Sequence, residues 1–133
     1  MLHGIGTDLV EIDRIRLALS RRGQRFARRV LSDREYTRFQ AKVHGGRDAA
    51  PYVAKRFAAK EAFFKALGAR SSEANTWHQL SIENSEDGCP VCVFGPLLND
   101  FLEANALGPV HVSLSDERGY ALAFVTIERL DAK

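Results

Sequence analysis

Arg56-Phe57-Ala58-Ala59-Lys60-Glu61-Ala62-Phe63-Phe64-Lys65-Ala66-Leu67-Gly68 is the stretch on which the reading of this chain turns. Ala, Leu, Lys, Arg and Glu are strong helix formers, Pro51 suits a first helical position, and Gly68 suits the residue past the end. At about 100° per residue, Val53, Phe57, Phe64 and Leu67 share one apolar sector. Glu61 falls about 40° from Phe57, at the sector's edge, with Lys65 one turn further on. A carboxylate there is either desolvated at a cost or matched by a cation. Taken alone, Glu61 and Lys65 read equally well as an i,i+4 pair that supports the helix by roughly a few tenths of a kcal/mol.

Upstream, residues 2–10 alternate as a strand, with His3, Ile5, Thr7 and Leu9 on one face and Leu2, Gly4, Gly6, Asp8 and Val10 on the other. Glycines inside a strand mark a place where something approaches the backbone closely, and Asp8 lies on that cleared face. Helices are expected from Asp13 to Arg22, closed by Gly23, and over Gln24–Val30. Residues 14–29 contain seven arginines and no acid. A solvated basic face is the ordinary reading, but the absence of any compensating carboxylate favours an anionic partner. Ser32-Asp33-Arg34-Glu35 has the form of a capping box, followed by an apolar stripe of Tyr36, Phe39 and Val43 and a loop at residues 44–48.

Downstream, Ala69 to Thr76 reads as a surface loop. The second half is expected as a meander with one helix. Leu80 and Ile82 lie in a strand, Glu86-Asp87-Gly88 turns it, and Val91–Phe94 returns. Pro96 opens a helix burying Leu97, Leu98, Phe101 and Leu102 that Gly108 ends. Val110, Val112 and Leu114 then alternate with His111, Ser113 and Ser115, and Asp116-Glu117-Arg118-Gly119 turns into a last strand, Tyr120 to Arg129. The fold class is α+β, a single compact domain over residues 1–133 with an antiparallel sheet and a long central helix.

Length and composition agree with this. The 133 residues, 45% hydrophobic, suffice for one domain with a sizeable core. No apolar run reaches the length of a membrane span and the N-terminus lacks the pattern of a signal peptide, so a cytoplasmic protein is expected. The net charge of +2 conceals 15 Lys and Arg against 7 Asp and Glu in residues 1–66, and 4 against 10 in residues 67–133. Cys89 and Cys92 have the spacing of a redox or zinc pair, but they sit in strand context with no second pair of ligands. They are read as reduced thiols.

Asp8 and Glu61 on separate elements suit a hard divalent cation, because magnesium takes one or two protein carboxylates and completes its shell with water and phosphate oxygens. Arg56, Lys60 and Lys65 would neutralise those phosphates. His111 with Ser113 or Ser115 forms no hydrolytic triad, and no P-loop or Gly-x-Gly-x-x-Gly turn is present. The chemistry indicated is phosphoryl-type transfer.

Gly4-Ile5-Gly6-Thr7-Asp8-Leu9-Val10-Glu11-Ile12, Ala54 to Gly68, and His111-Val112-Ser113-Leu114-Ser115 together resemble the bacterial holo-acyl-carrier-protein synthases, over nearly the whole chain. The resemblance implies transfer of the phosphopantetheine arm of coenzyme A to a serine of apo-acyl carrier protein, in fatty acid biosynthesis, with release of adenosine bisphosphate. It implies that Asp8 and Glu61 bind magnesium or manganese, that Glu61 activates the serine hydroxyl directly or through water, and that Lys65 steadies the phosphate charge. Arg56, Lys60, Lys65, Gly68, Pro90 and His111 match positions that contact coenzyme A. Arg14, Arg22, Arg25, Phe26 and Arg29 match the surface that docks the carrier protein. The family's homotrimer, with active sites between neighbours, is implied as well. Phe64 departs from relatives that carry a small residue beside the coenzyme. A nucleic-acid-binding module built on the arginines is the reading from a different class. It is disfavoured by the acidic second half and by the lack of an aromatic stacking set beyond Phe26. A catalytically silent carrier-binding relative is disfavoured by the intact Asp8, Glu61 and Lys65.

Overall fold

The computed structural model describes residues 1–68 and 77–131, so the expected loop at 69–76 lies outside the described residues. The chain runs β1 (Leu2–Glu11), α1 (Ile12–Arg22), α2 (Gln24–Val30), α3 (Asp33–His44), α4 (Ala50–Leu67), β2 (Leu80–Asn84), β3 (Pro90–Phe94), α5 (Pro96–Ala104), β4 (Leu107–Glu117) and β5 (Tyr120–Arg129). A single 3-10 turn, Trp77–Gln79, precedes β2. The four strands of the second half do not form one meander. β2 and β3 make a separate hairpin, while β4 and β5 join β1 in a three-stranded antiparallel sheet of order β1-β5-β4.

α4 is the centre of the molecule, packed on β1 and β5 and also against α1, α2 and β2. Its burial departs from the single sector expected. Val53, Ala54, Ala58, Ala59, Ala62 and Phe63 are fully buried, whereas Phe57 and Phe64 are only partly covered. A helix enclosed on several sides has no one apolar stripe, and its alanines let neighbouring backbones come close. Gly4 and Gly6 are the receiving surface: a Cβ on either would collide with the carbonyl oxygen of Ala66 or Ala62. What approaches the strand glycines is therefore the backbone of α4 itself.

The sheet's inner face is small and dry, with Ala121, Ala123, Val125 and Ile127 of β5 fully buried against α4. Its outer face carries Ile5, Leu9, Leu122 and Phe124, all substantially exposed. The β4–β5 turn is tighter than expected. Pairing continues to Glu117 and Tyr120, leaving only Arg118 and Gly119, both at positive φ (48° and 86°), as a two-residue turn. The helix opened by Pro96 is shorter than expected, ending at Ala104 with Asn105 as its cap, and Gly108 lies in β4. Leu98 and Leu102 are buried in it, but Leu97 is 66% and Phe101 39% exposed, because only one side of this two-and-a-half-turn helix meets the core.

Candidate active site

Three side chains from β1 and α4 meet where the glycine contact ends. Asp8 follows Gly6 on the inner face of β1, just beyond the point where the helix rests on the strand. Lys65 reaches back across the strand, donating to the Thr7 carbonyl at 3.0 Å and lying 3.4 Å from Asp8 Oδ1. Its side chain is 55% exposed and that of Asp8 18%, so the ammonium is open to a ligand while the carboxylate is recessed. Glu61, one turn before Lys65, has its carboxyl pushed above the usual carboxylate range. Partial burial is the larger cause and the negative charge of Asp8 the next, while Lys65 and Arg14 pull it back. Two carboxylates close enough that the charge of Asp8 helps hold the Glu61 carboxyl up, in a recess open on one side, fit a hard divalent cation. No group of three or more His, Cys, Asp and Glu gathers among the described residues. A cation held here would take at most these two carboxylates from the described residues, with water and ligand oxygens completing its shell.

Lys60, adjacent to Glu61 in sequence, is not brought to this site. Its ammonium is fully buried and gives its three donors to Glu35 Oε1 (2.6 Å), the Val30 carbonyl (2.7 Å) and the Trp77 carbonyl (3.0 Å). Burial, only partly offset by Glu35, pulls its pKa below the ordinary lysine value. A lysine with every donor satisfied inside the core has nothing left for a phosphate. Glu35 is equally committed: Oε1 also accepts from the Ser32 N–H (2.9 Å) and Oε2 from the Ile82 N–H (2.7 Å). The capping box was legible in the sequence; its second use as counter-ion to Lys60 was not. The pair ties α2, α3, β2 and α4 together and fixes the helix on which Glu61 and Lys65 stand.

Arg56 opens toward the other side of α4. It is 5% exposed, lies 4.1 Å over the Tyr52 ring, and donates from Nη2 to the Ile82 carbonyl at 3.2 Å. Its buried Nε has no partner among the described residues. With Arg38, Lys42, Arg47, Lys55 and Asn84 it lines a cavity of about 370 Å³. Arg38 and Lys55 are partly neutralised by Glu83 and Asp116. Five cations around one cavity, one with an unsatisfied buried donor, suit a multiply charged anion. Sequence reasoning found Arg56 but missed Lys42, Arg47 and Lys55, which converge only when α3 packs beside α4.

The remaining candidates are dispersed. Pro90 begins β3 opposite Asn84, at the edge of the basic cavity. Gly68 closes α4 at φ 109°, its N–H bonded to the Phe64 carbonyl at 3.1 Å. His111 stands on the outer face of the sheet, 2.7 Å from Glu128 Oε2, on the side away from Glu61. Arg14, Arg22, Arg25 and Arg29 are exposed on α1 and α2 and make no ion pair among the described residues, whereas Arg16 is bound to Asp13 and Asp48. Phe26 stacks on Phe57, and Phe57 and Phe64 both meet Trp77, so an aromatic run passes beside Glu61. Cys89 and Cys92 are free thiols, and burial pushes the Cys92 thiol up to about 12.

The chain as a whole has parallels in sequence and fold. The sequence profile of the 4′-phosphopantetheinyl transferase superfamily matches residues 4–125. The holo-[acyl-carrier-protein] synthase of Aromatoleum aromaticum is 45% identical over 129 residues, 97% of this chain and 99% of that protein. Among solved structures, the holo-[acyl-carrier-protein] synthase of Neisseria meningitidis superposes with a TM-score of 0.88 at 39% identity, covering 97% of this chain and 100% of that one. The Helicobacter pylori synthase in complex with coenzyme A superposes at 0.75 with 27% identity, covering 93% and 99%.

Proposed function

The chain belongs to the 4′-phosphopantetheinyl transferase superfamily, and from that premise we propose that it is a holo-[acyl-carrier-protein] synthase working in the cytoplasm for fatty acid biosynthesis. It carries the phosphopantetheine arm of coenzyme A to a serine of apo-acyl carrier protein and releases adenosine bisphosphate. The observation that carries this reading is the meeting of Asp8, Glu61 and Lys65 at the end of the β1–α4 contact.

Asp8 and Glu61 would hold magnesium or manganese, which when bound supplies positive charge to the pyrophosphate oxygens of the coenzyme. Lys65 binds a phosphate oxygen from its exposed ammonium and stays oriented by the Thr7 carbonyl. Glu61, whose carboxyl holds its proton more tightly than an ordinary carboxylate, is the base that takes the serine proton, directly or through water. A bond forms between the serine oxygen and the phosphorus that bears the pantetheine arm, the bond to the adenosine bisphosphate oxygen breaks, and that group leaves as an anion. The cavity of Arg56, Lys42 and Arg47 supports binding of its phosphates. The exposed arginines of α1 and α2 receive the acidic carrier protein, and Arg14 links that surface to Glu61.

A homotrimer belongs to the same proposal. The outer sheet face bears four exposed apolar side chains together with His111, an arrangement suited to burial between copies that would place His111 at a neighbour's site. The deciding experiment is incubation with coenzyme A, magnesium and apo-acyl carrier protein, read by intact mass. The expected result is addition of one phosphopantetheine; an unmodified carrier, with the protein folded and metal present, would sink the reading.

A further inference from the structure

α3 separates two cavities. Arg38, Ala41 and Lys42 face the basic cavity, while Phe39, Gln40, Val43 and His44, on the opposite side of the same helix, line a second cavity of about 400 Å³. This second space lies between α1, α3 and the start of α4 and is walled largely by apolar groups, including Leu19, Phe39, Val43 and Ala50. Its volume is within the range of small-molecule sites. The rim is charged, but unevenly. Arg16 is already committed to Asp13 and Asp48, and Asp48 also accepts from the Ala50 N–H at 3.1 Å, at the start of α4. Arg47 makes no ion pair among the described residues, and it belongs to the wall of both cavities.

We propose that the apolar cavity binds a small amphipathic anion, with an apolar chain or ring inside and a single carboxylate-like head on Arg47, and that occupancy weakens anion binding in the basic cavity. Charge complementarity selects the occupant. An anionic head gains a charge-assisted hydrogen bond from the exposed Arg47 that a cation or a neutral molecule would not, and a multiply charged anion would find no second free lysine or arginine at this rim among the described residues. The coupling follows from the shared residue: a guanidinium drawn to a head group on one side of α3 is withdrawn from phosphate on the other. The binding claim is independent of the proposed activity. The coupling claim rests on the reading of the basic cavity as the seat of the coenzyme's bisphosphate end.

Decanoate, decanol and adenosine 3′,5′-bisphosphate are the probes, titrated calorimetrically into the full chain. Decanoate should bind at least about tenfold more tightly than decanol, and saturating decanoate should weaken the bisphosphate by about threefold or more. Val43→Trp places an indole at the half-exposed mouth; it should weaken decanoate by about tenfold and leave bisphosphate affinity unchanged. Arg47→Gln should abolish the preference for decanoate over decanol. Equal affinity for the two probes, or decanoate binding untouched by Val43→Trp, would overturn the site. Bisphosphate affinity indifferent to saturating decanoate would overturn the coupling. Failure of the bisphosphate to bind the unmodified protein at all would instead count against the functional reading, and the decanoate comparison would still decide the site.

Discussion

Gly6 of β1 lies so near Ala62 of α4 that a methyl group on the strand would strike the helix carbonyl. That contact sets the height of the helix above the sheet. Asp8 is two residues beyond Gly6 on the same strand face, and Glu61 directly precedes Ala62. The spacing that brings the two carboxylates within electrostatic reach is therefore set by the absence of a side chain, and the site is a by-product of close backbone packing.

Gly6→Ala should separate the helix from the strand and with it Asp8 from Glu61. Overpacking of this kind costs about 1–3 kcal/mol, and more where the obstacle is backbone. The melting temperature should fall, and magnesium affinity should fall further than in an equally destabilised variant remote from the site. Calorimetric titration of the metal checks this, and unchanged affinity in a destabilised variant would show that the glycine serves packing alone.

Activity should require magnesium or manganese and disappear in a chelator. Two carboxylates and one exposed lysine would otherwise have to manage a pyrophosphate substrate alone. Turnover by intact mass in metal-free buffer is the measurement, and full activity there would remove the metal from the site.

Glu35→Gln should destabilise strongly, by about 3–5 kcal/mol, because it leaves Lys60 charged and uncompensated in the core. The loss has a definite pH sign. Glu35 is what holds the Lys60 pKa up against burial, so without it that pKa falls further. The loss is therefore full where Lys60 would be charged in both proteins and fades as pH rises through the parent's own lowered value. Glu35→Leu with Lys60→Met should recover most of the stability. Equal melting of Glu35→Gln and the parent across pH 6–9 would mean the pair is not the clamp described.

Much of this was open to sequence reading because glycine, proline and the capping box punctuate the chain at or within one residue of several boundaries, as at Gly68, Ser32 and Pro51, which stands one residue inside α4. The Asp8, Glu61 and Lys65 constellation was legible because a strand face cleared by glycines and a charged helix edge are both local patterns. Lys60 was not, since its partner Glu35 already had a complete local explanation 25 residues away. Phe63 was missed and Phe57 overvalued because a helix enclosed on several sides carries no single apolar stripe. Arg47 and Lys42 belong to a cavity that exists only between two helices, so no spacing announces them.

Charge reversal at Arg22 and Arg25 should impair use of the carrier protein while leaving binding of adenosine 3′,5′-bisphosphate intact. These two are preferable to Arg14, which also acts on Glu61 and would confound docking with chemistry. The expected loss is in kcat/KM for the carrier, about tenfold or more at low ionic strength and shrinking with salt, because steering between charged surfaces is screened. Unchanged carrier kinetics at low salt would leave the arginines as a solvated face.

Glu61 and Lys65 decide between a helix-supporting ion pair and a reactive site. As a simple surface pair, Glu61→Gln or Lys65→Met would cost roughly a few tenths of a kcal/mol and no rate. As a metal-binding base and a phosphate cation, each should lose about 100-fold or more in turnover with the fold intact. Stability should respond in the opposite direction for Glu61. Its carboxyl is raised in the folded protein, so its favourable contribution is complete below the ordinary carboxylate value of 4.5 and is lost as pH rises through the raised value. The metal-free Glu61→Gln protein should therefore melt higher than the parent near pH 7, and the advantage should vanish on acidification to about pH 4. Added magnesium should reverse the order by stabilising only the parent. Turnover and melting temperature measured together settle it: near-parental rates with a lowered melting temperature would mean that the pair only holds the helix.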